Sequence, residues 1–422
     1  MAIPHVLVLA GASPSEQHGG EVYLAEACRN YPEGRISRFA IAHSSYSRPT
    51  EWLRIPIAYV DHPREHGIQR LGRLAAMASA MPLHIYIRRV LVPALVEQAA
   101  RFGRAQHADI VWALLDSSTL MAVAWRVARR LNLPLVVSVL DPPEHWTSEL
   151  RFAAITEKAM LGEFERSLRA ACRVAVISEG MQAEYRRRFG IDSILLRHGI
   201  HPSFVQPPAR RPQPGRQLLI GLAGNLYGRE AQTTLFRALE STGWNIAGRA
   251  VRLRILSNSF NVQVPSHADI QFLGWRSLPE TVRLLSGCDL LYLPYWFNPN
   301  LRYSAQLCFP TKLPAYLAAG RPVVVHAPWD SAPAQFLGRY AAGEVCSSLE
   351  PDDLLAAFAR LLDDEASYRS ATAAASEAIR AELGLHVFLR RFADLIGGDD
   401  ELYDAMKSQA GLTTGGSDRM AP

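Results

Sequence analysis

Short apolar runs alternate along this 422-residue chain with amphipathic stretches, the signature of strand–helix–strand units that build a parallel sheet. In the first half, Val6–Ala10, Ile110–Leu114, Pro134–Leu140 and Arg173–Ile177 read as buried strands. Glu21–Asn30, Leu120–Leu131 and Ala154–Ala170 carry helical spacing. The stretch Gln206–Gln217 holds four prolines, one glycine and three arginines, and reads as a linker. Beyond it the alternation restarts. Strands are predicted at Leu218–Ala223, Val251–Leu256, Leu290–Leu293 and Pro322–His326, and helices at Glu230–Leu239, Leu278–Ser286, Asp352–Leu362 and 371–381. No repeat of 20–50 residues is visible. The pattern predicts an α/β chain with a doubly wound domain over 1–200, a linker at 201–217 and a second such domain over 218–385. A helix at 386–397 is expected to cross back to the first domain, and residues 398–422, with five acids and two bases, read as a frayed tail.

Composition narrows the class. Hydrophobic residues make up 49% and charged residues 20%, which excludes a largely disordered chain. No run reaches the roughly 20 apolar residues of a spanning helix, which excludes a polytopic membrane protein. Val6–Ala10 is too short for a signal-peptide core and lacks a basic flank, so a cytosolic setting is expected. The five cysteines (Cys28, Cys172, Cys288, Cys308 and Cys346) are scattered and odd in number, which fits reduced core thiols. No Cys/His cluster has zinc-ligand spacing, and no metal is expected.

Charge is unevenly spread. The net charge is +5, and the segment 64–104 alone has seven arginines against two glutamates, an excess as large as the whole chain's. Its arginines flank Leu71, Leu74, Met77, Met81, Ile85, Ile87, Leu91 and Leu95. Two readings stay open: a surface for an anionic membrane, or an ordinary helix pair with solvated arginines. Regular aromatic interleaving is missing, so nucleic acid is not an expected partner. Lysine occurs only at Lys158, Lys312 and Lys407, which singles each one out.

Four short motifs carry candidate chemistry. Gly19 and Gly20 stand between the first strand and a helix, where backbone amides can approach an anion; a flexible loop with a helix cap is the other reading. Gly221-Leu-Ala-Gly224-Asn225-Leu226-Tyr227-Gly228-Arg229 follows the first strand of the second half, the place where open α/β sheets bind ligands. It is either a site in which Arg229 holds a phosphate or a tight turn. Phe309-Pro310-Thr311-Lys312-Leu313 places a hydroxyl and a cation at a helix start, a diphosphate cradle unless Lys312 is merely solvated. Asp141, Glu144 and His145 follow Pro134–Leu140 and suit a polyhydroxylated ligand, or else form an exposed Pro-Pro turn.

In this order the pieces resemble the two-Rossmann-domain (GT-B) glycosyltransferases, in particular the retaining glycogen- and sucrose-synthase-like "group 1" type. Phe309–Val325 (FPTKLPAYLAAGRPVVV) is the strongest match, and Asp269–Pro294 and Val174–His201 are similar to other stretches of that family. The resemblance implies two doubly wound parallel-sheet domains facing a central cleft. It implies a nucleotide-sugar donor, with UDP or GDP as the leaving group, and a carbohydrate or lipid-linked acceptor.

Gly19, Gly20, Gly224, Asn225, Arg229, Thr311 and Lys312 would meet the diphosphate, Arg229 and Lys312 acting catalytically without a metal. Asp141, Glu144 and His145 would contact sugar or acceptor. Leu273 and Trp275 of the Phe272-Leu-Gly-Trp275 run, with Pro310, would lie on the nucleoside side. No cofactor beyond the donor is implied.

One departure weighs on activity. The carboxylates of this family's acidic motif fall here on Ala315 and Leu307, and no Asp or Glu occurs between Asp289 and Asp330. A degenerate GT-B protein acting as a binding or scaffold subunit is therefore the alternative expectation.

Overall fold

The computed structural model describes residues 3–11, 19–42, 54–61, 81–145, 154–226, 228–258 and 262–412. The chain divides into two compact units. Of the described residues, the first takes those up to Ile177, then Gln182–Leu196, and those from Phe388 onward; the second takes those of Ser178–Met181 and Arg197–Val387.

In the first unit, β1 (Val6–Ala10), α1 (Gly19–Asn30), β2 (Ile36–Ala42), β3 (Ile57–Asp61), α2 (Val92–Ala105), β4 (Ile110–Leu114), α3 (Ser118–Leu131), β5 (Leu135–Val139), α4 (Ala154–Ala170), β6 (Arg173–Val176), α5 (Glu179–Phe189) and β7 (Ile194–Leu195) follow one another. The strands form one parallel sheet in the order β3-β2-β1-β4-β5-β6-β7. β1, β4 and β5 are buried at every residue, as strands in a sheet covered on both faces are; β1 and β4 are unbroken apolar runs, and the one polar residue of β5, Ser138, is bonded to Tyr23 and Trp112. β2 is buried throughout as well but reads poorly in sequence, because Ser37 and Arg38 interrupt it. Ser37 Oγ lies 3.0 Å from His5 Nε2, and Arg38 reaches the Tyr59 hydroxyl at 3.4 Å.

The second unit contains β8 (Leu218–Ala223), α6 (Arg229–Ser241), β9 (Asn245–Ile246), β10 (Arg249–Leu256), β11 (Ile270–Phe272), α7 (Leu278–Ser286), β12 (Leu290–Pro294), α8 (Arg302–Leu307), α9 (Leu313–Ala318), β13 (Val323–His326), α10 (Ala332–Tyr340), β14 (Gly343–Cys346), α11 (Pro351–Asp363) and α12 (Glu365–Ala378). Its parallel order is β11-β10-β8-β12-β13-β14, with β9 antiparallel on β10. The core gathers Leu218, Ile220 and Leu222 of β8 with Leu253, Tyr292, Val324, Phe358 and Leu361. Both sheets thus reverse direction beside their first strand, the doubly wound arrangement.

Two expectations are corrected. The stretch 206–217 is not a free linker but part of the second unit. Gln206 N–H donates to Ala318 O (2.8 Å), Ala209 N–H to Gly320 O (3.1 Å), and the Arg249 guanidinium to Pro212 O (3.3 Å). Its prolines lack backbone donors, so the amides of Gln206 and Ala209 are supplemented by a carbonyl, Pro212 O, and a side chain, Arg211, which donates to Leu362 O.

The tail expected from 398 is also ordered at its start. Asp399 caps α14 (Asp400–Gln409) by accepting the Leu402 amide (3.3 Å), and Leu402 and Met406 are buried. The preceding α13 (Leu385–Ile396) places Phe392 on Trp112 at 4.7 Å and Phe388 on Tyr23 at 5.6 Å.

Candidate functional site

In the second unit, the loops leaving β8 and β12 diverge where the strand order reverses, at the carboxyl edge of the sheet. The β8 loop is built on two glycines. Gly224 has φ +79° and Gly228 φ +74°, a region that side chains rarely adopt. At Gly228 a Cβ would sit 1.8 Å from Tyr295 O, so the loop lies directly on the β12 loop and only glycine fits. Tyr295 N–H in turn donates to His326 O at 2.9 Å, which sets the β13 end beside it. Gly228 is the N-cap of α6 and gives that helix no side-chain cap, leaving the positive end of a 13-residue helix facing this edge.

A buried tyrosine brings the lysine here. The Tyr316 hydroxyl accepts the Ala223 amide at 2.6 Å and lies 3.2 Å from Ala223 O, which clamps α9 to the last residue of β8. One turn earlier, at the start of α9, Lys312 is half-buried and donates its Nζ to Asn225 O. A Cβ at Gly224 would come within 3.4 Å of Lys312 Cδ. Burial pushes the Lys312 pKa down to about 7. The sequence quoted Tyr316 only as part of a motif, and nothing in its spacing shows that its hydroxyl reaches across to β8.

The other predicted residues separate. Thr311, next to Lys312 in the chain, and Asn225, whose carbonyl Lys312 reaches, are both exposed, and Pro310 O accepts the Leu313 amide that opens α9. Arg229 is exposed, its carbonyl accepts the Thr233 hydroxyl at 2.9 Å, and its guanidinium has no hydrogen-bond or ion-pair partner among the described residues; it lines a groove of about 570 Å³ that runs along α6 past Thr233 and Arg237. Lys312, Gly224 and Asn225 are therefore brought together, while Arg229 stands at the helix end next to them. Leu273 and Trp275 are half-buried where β10 and β11 end, Trp275 N–H donating to Asn258 Oδ1 at 2.9 Å.

In the first unit, Gly19 and Gly20 are the first residues of α1, which starts two positions ahead of the helix expected from Glu21. The trio after β5 differs in its surroundings. Glu144 is ion-paired with Arg188 and His145 is buried, so of the three only Asp141 stays uncommitted among the described residues. Asp116, which sequence reasoning passed over, lies at the reversal point of this sheet and accepts the Gly11 amide at 3.1 Å. An acid directly behind a buried strand, as in Leu114-Leu115-Asp116, is the signal that could have found it.

The basic segment is also altered. Arg64, Arg70 and Arg73 lie outside the described residues, and Arg88 is paired with Glu163, whose carboxylate is 2% exposed. Burial opposes ionisation of Glu163, but Arg126, Trp125 and Arg88 outweigh it and hold its pKa below the usual range. Cys172 is exposed rather than a core thiol. Ala315 and Leu307 are each 4% exposed, so apolar side chains pack where the resemblance expects carboxylates.

Among the described residues, no three His, Cys, Asp or Glu side chains converge as metal ligands would, and no helix is long and apolar enough to cross a membrane. No protein-family model matches the chain, and no curated protein matches it in sequence. Solved structures do. HepE of Anabaena, crystallised with UDP, is similar over 93% of this chain and 99% of its own, at 15% identity and a TM-score of 0.65. Sucrose-phosphate synthase of Thermosynechococcus elongatus is similar over 93% and 98%, at 12% identity and a TM-score of 0.65. WaaG, a glycosyltransferase involved in lipopolysaccharide biosynthesis, is similar over 97% and 100%, at 13% identity and a TM-score of 0.58. Two doubly wound parallel sheets with these neighbours make the fold GT-B.

Proposed function

We propose that the protein is a glycosyltransferase that takes a sugar from a nucleoside-diphosphate donor bound at the carboxyl edge of the second unit. The observation that carries this reading is the meeting of Lys312 with the Gly224–Asn225 loop beside the uncapped end of α6. A cation, a helix N-terminus and glycines that admit close approach form a site for a diphosphate. When the glycosidic C1–O bond breaks, the departing diphosphate gains negative charge. Lys312 and the α6 amides would stabilise that charge without a divalent metal, with Arg229 joining them from the helix start. UDP in a neighbour of the same fold supports the donor class. Trp275 is suited to the base, Gly19 and Gly20 to the diphosphate, and Asp141 to the sugar or acceptor. A retaining mechanism rests on resemblance alone.

The acceptor reading includes a cytosolic membrane surface. Met81, Ile85, Tyr86 and Val90 are exposed, with Arg89 among them, and such a face suits contact with anionic lipid and a lipid-linked acceptor. Flotation on vesicles with and without anionic lipid tests this; equal recovery on both would remove it.

Release of UDP or GDP from a panel of nucleotide sugars, with wild type and Lys312→Ala, tests the main reading. Turnover by wild type that drops at least about a hundredfold in the variant is the expected result. The apolar packing at Ala315 and Leu307 favours a second reading, a binding or scaffold subunit. Donor binding with no turnover by wild type would establish that one instead.

A further inference from the structure

The two positions that would present carboxylates from α8 and α9 are apolar and buried, so an acid that meets a donor sugar has to come from another element. The next acid after Asp289 is Asp330, in the loop that follows β13. Strands β12 and β13 pair in register with Pro294 opposite His326, so the two loops leave the sheet side by side. The β12 loop is the one on which Gly228 lies. Asp330 is thus placed at the same carboxyl edge, one strand over from the glycine loop.

Its surroundings are specific. Asp330 Oδ2 accepts from Arg302 Nη2 at 2.7 Å and from Gln306 Nε2 at 2.8 Å. Gln306 immediately precedes Leu307 on α8, so the amide ties Asp330 to the position where the resemblance expects a carboxylate. Oδ1 accepts from no other residue among those described, and the side chain is 14% exposed. Burial works against ionisation, but Arg302 and Gln306 outweigh it and keep the Asp330 pKa below its ordinary value. At neutral pH the group is therefore a carboxylate, an acceptor with lone pairs to spare. The residue before it, Trp329, is 67% exposed. Its indole N–H meets no described residue, although its carbonyl is taken by Gln335 at 2.7 Å.

An exposed indole next in sequence to a carboxylate acceptor, itself held by an amide and a guanidinium, is a set of groups that can recognise a pyranose. The ring packs on the sugar's C–H face, and the carboxylate takes hydrogen bonds from its hydroxyls. Placing a carboxylate ahead of α10 also suits that helix's dipole, which accounts for Asp330 but not for an exposed tryptophan.

We propose that Trp329 and Asp330, positioned by Gln306 and Arg302, form the subsite for the sugar of the donor, supplying from the β13 loop the contact that Ala315 and Leu307 cannot make. The proposal rests on the reading that the second unit binds the donor, and the experiment separates the two. Wild type, Asp330→Asn and Trp329→Ala are titrated calorimetrically with UDP, GDP, UDP-glucose, UDP-N-acetylglucosamine and GDP-mannose. The expected result is that each variant weakens the bound sugar conjugate about tenfold or more while its parent diphosphate binds within about twofold of wild type, as loss of one or two hydrogen-bonded or stacked contacts requires. Conjugate binding unchanged in both variants would overturn the subsite with the donor reading intact. So would equal weakening of conjugate and diphosphate, the mark of a structural role. Wild type that binds none of the five compounds would remove the donor reading, and the subsite with it.

Discussion

Lys312 is held in a state that favours ligand binding over stability. Its pKa of about 7 means that the ammonium is charged below neutrality and neutral above it. A diphosphate needs the charged form, so affinity for UDP or GDP is expected to fall by up to roughly tenfold per pH unit as pH rises above 7. Isothermal titration from pH 6 to pH 8.5 checks this, and Lys312→Arg, which stays charged, should flatten the profile. Stability has the opposite sign. The unfolded lysine keeps its ordinary, higher pKa, so burial of the charge costs most below pH 7 and the cost fades as pH rises from there. Lys312→Met should therefore melt at a higher temperature than wild type at pH 6, by a margin that narrows toward pH 9, while binding nucleotide poorly. Gly228 is the second such residue. With φ +74° and Tyr295 O 1.8 Å from a built Cβ, Gly228→Ala should cost more than about 2 kcal/mol in urea denaturation and should displace the start of α6.

At the scale of elements, distant stretches are pinned by a few buried polar side chains. Arg197, 3% exposed, lies against the rings of Phe309 (4.2 Å) and Phe336 (5.1 Å). It pairs with Glu179 at the start of α5 and, at 2.6 Å, with Glu382 beyond α12, and Arg339 of α10 joins the same two carboxylates at 2.8 Å. Burial lowers the Arg197 pKa, with Glu179 and Glu382 opposing, so the ion pairs are what make a buried guanidinium tolerable. Arg197→Met should destabilise the chain by about 3 kcal/mol, because Glu179 and Glu382 are left to share Arg339, with only the Tyr340 hydroxyl added on Glu382; chemical denaturation measures it. Tyr316→Phe is the companion at the site. It removes the hydroxyl that joins α9 to Ala223, and a loss of about 1–2 kcal/mol together with weaker nucleotide binding is expected.

For the whole molecule, legibility followed burial. Strands covered on both faces, such as Val6–Ala10 and Leu218–Ala223, are continuous apolar runs, and their periodicity alone places them. Ile36–Ala42 was missed because its buried Ser37 and Arg38 are paid for by partners at His5 and Tyr59, which no local pattern reveals. The site divides the same way. Glycines and a rare lysine stand out in sequence, whereas Tyr316, Asp116 and Asp330 act through contacts far along the chain. Glu144 and Arg88 likewise have partners, Arg188 and Glu163, that no local pattern reveals.

The central claim is that Lys312 and the Gly224–Asn225 loop hold a diphosphate. A crystal structure of the protein soaked with UDP or GDP tests it most directly. The account predicts phosphate oxygens about 2.7–3.2 Å from Lys312 Nζ, with the other oxygens turned toward the first amides of α6. Nucleotide bound with its phosphates away from this loop would contradict it.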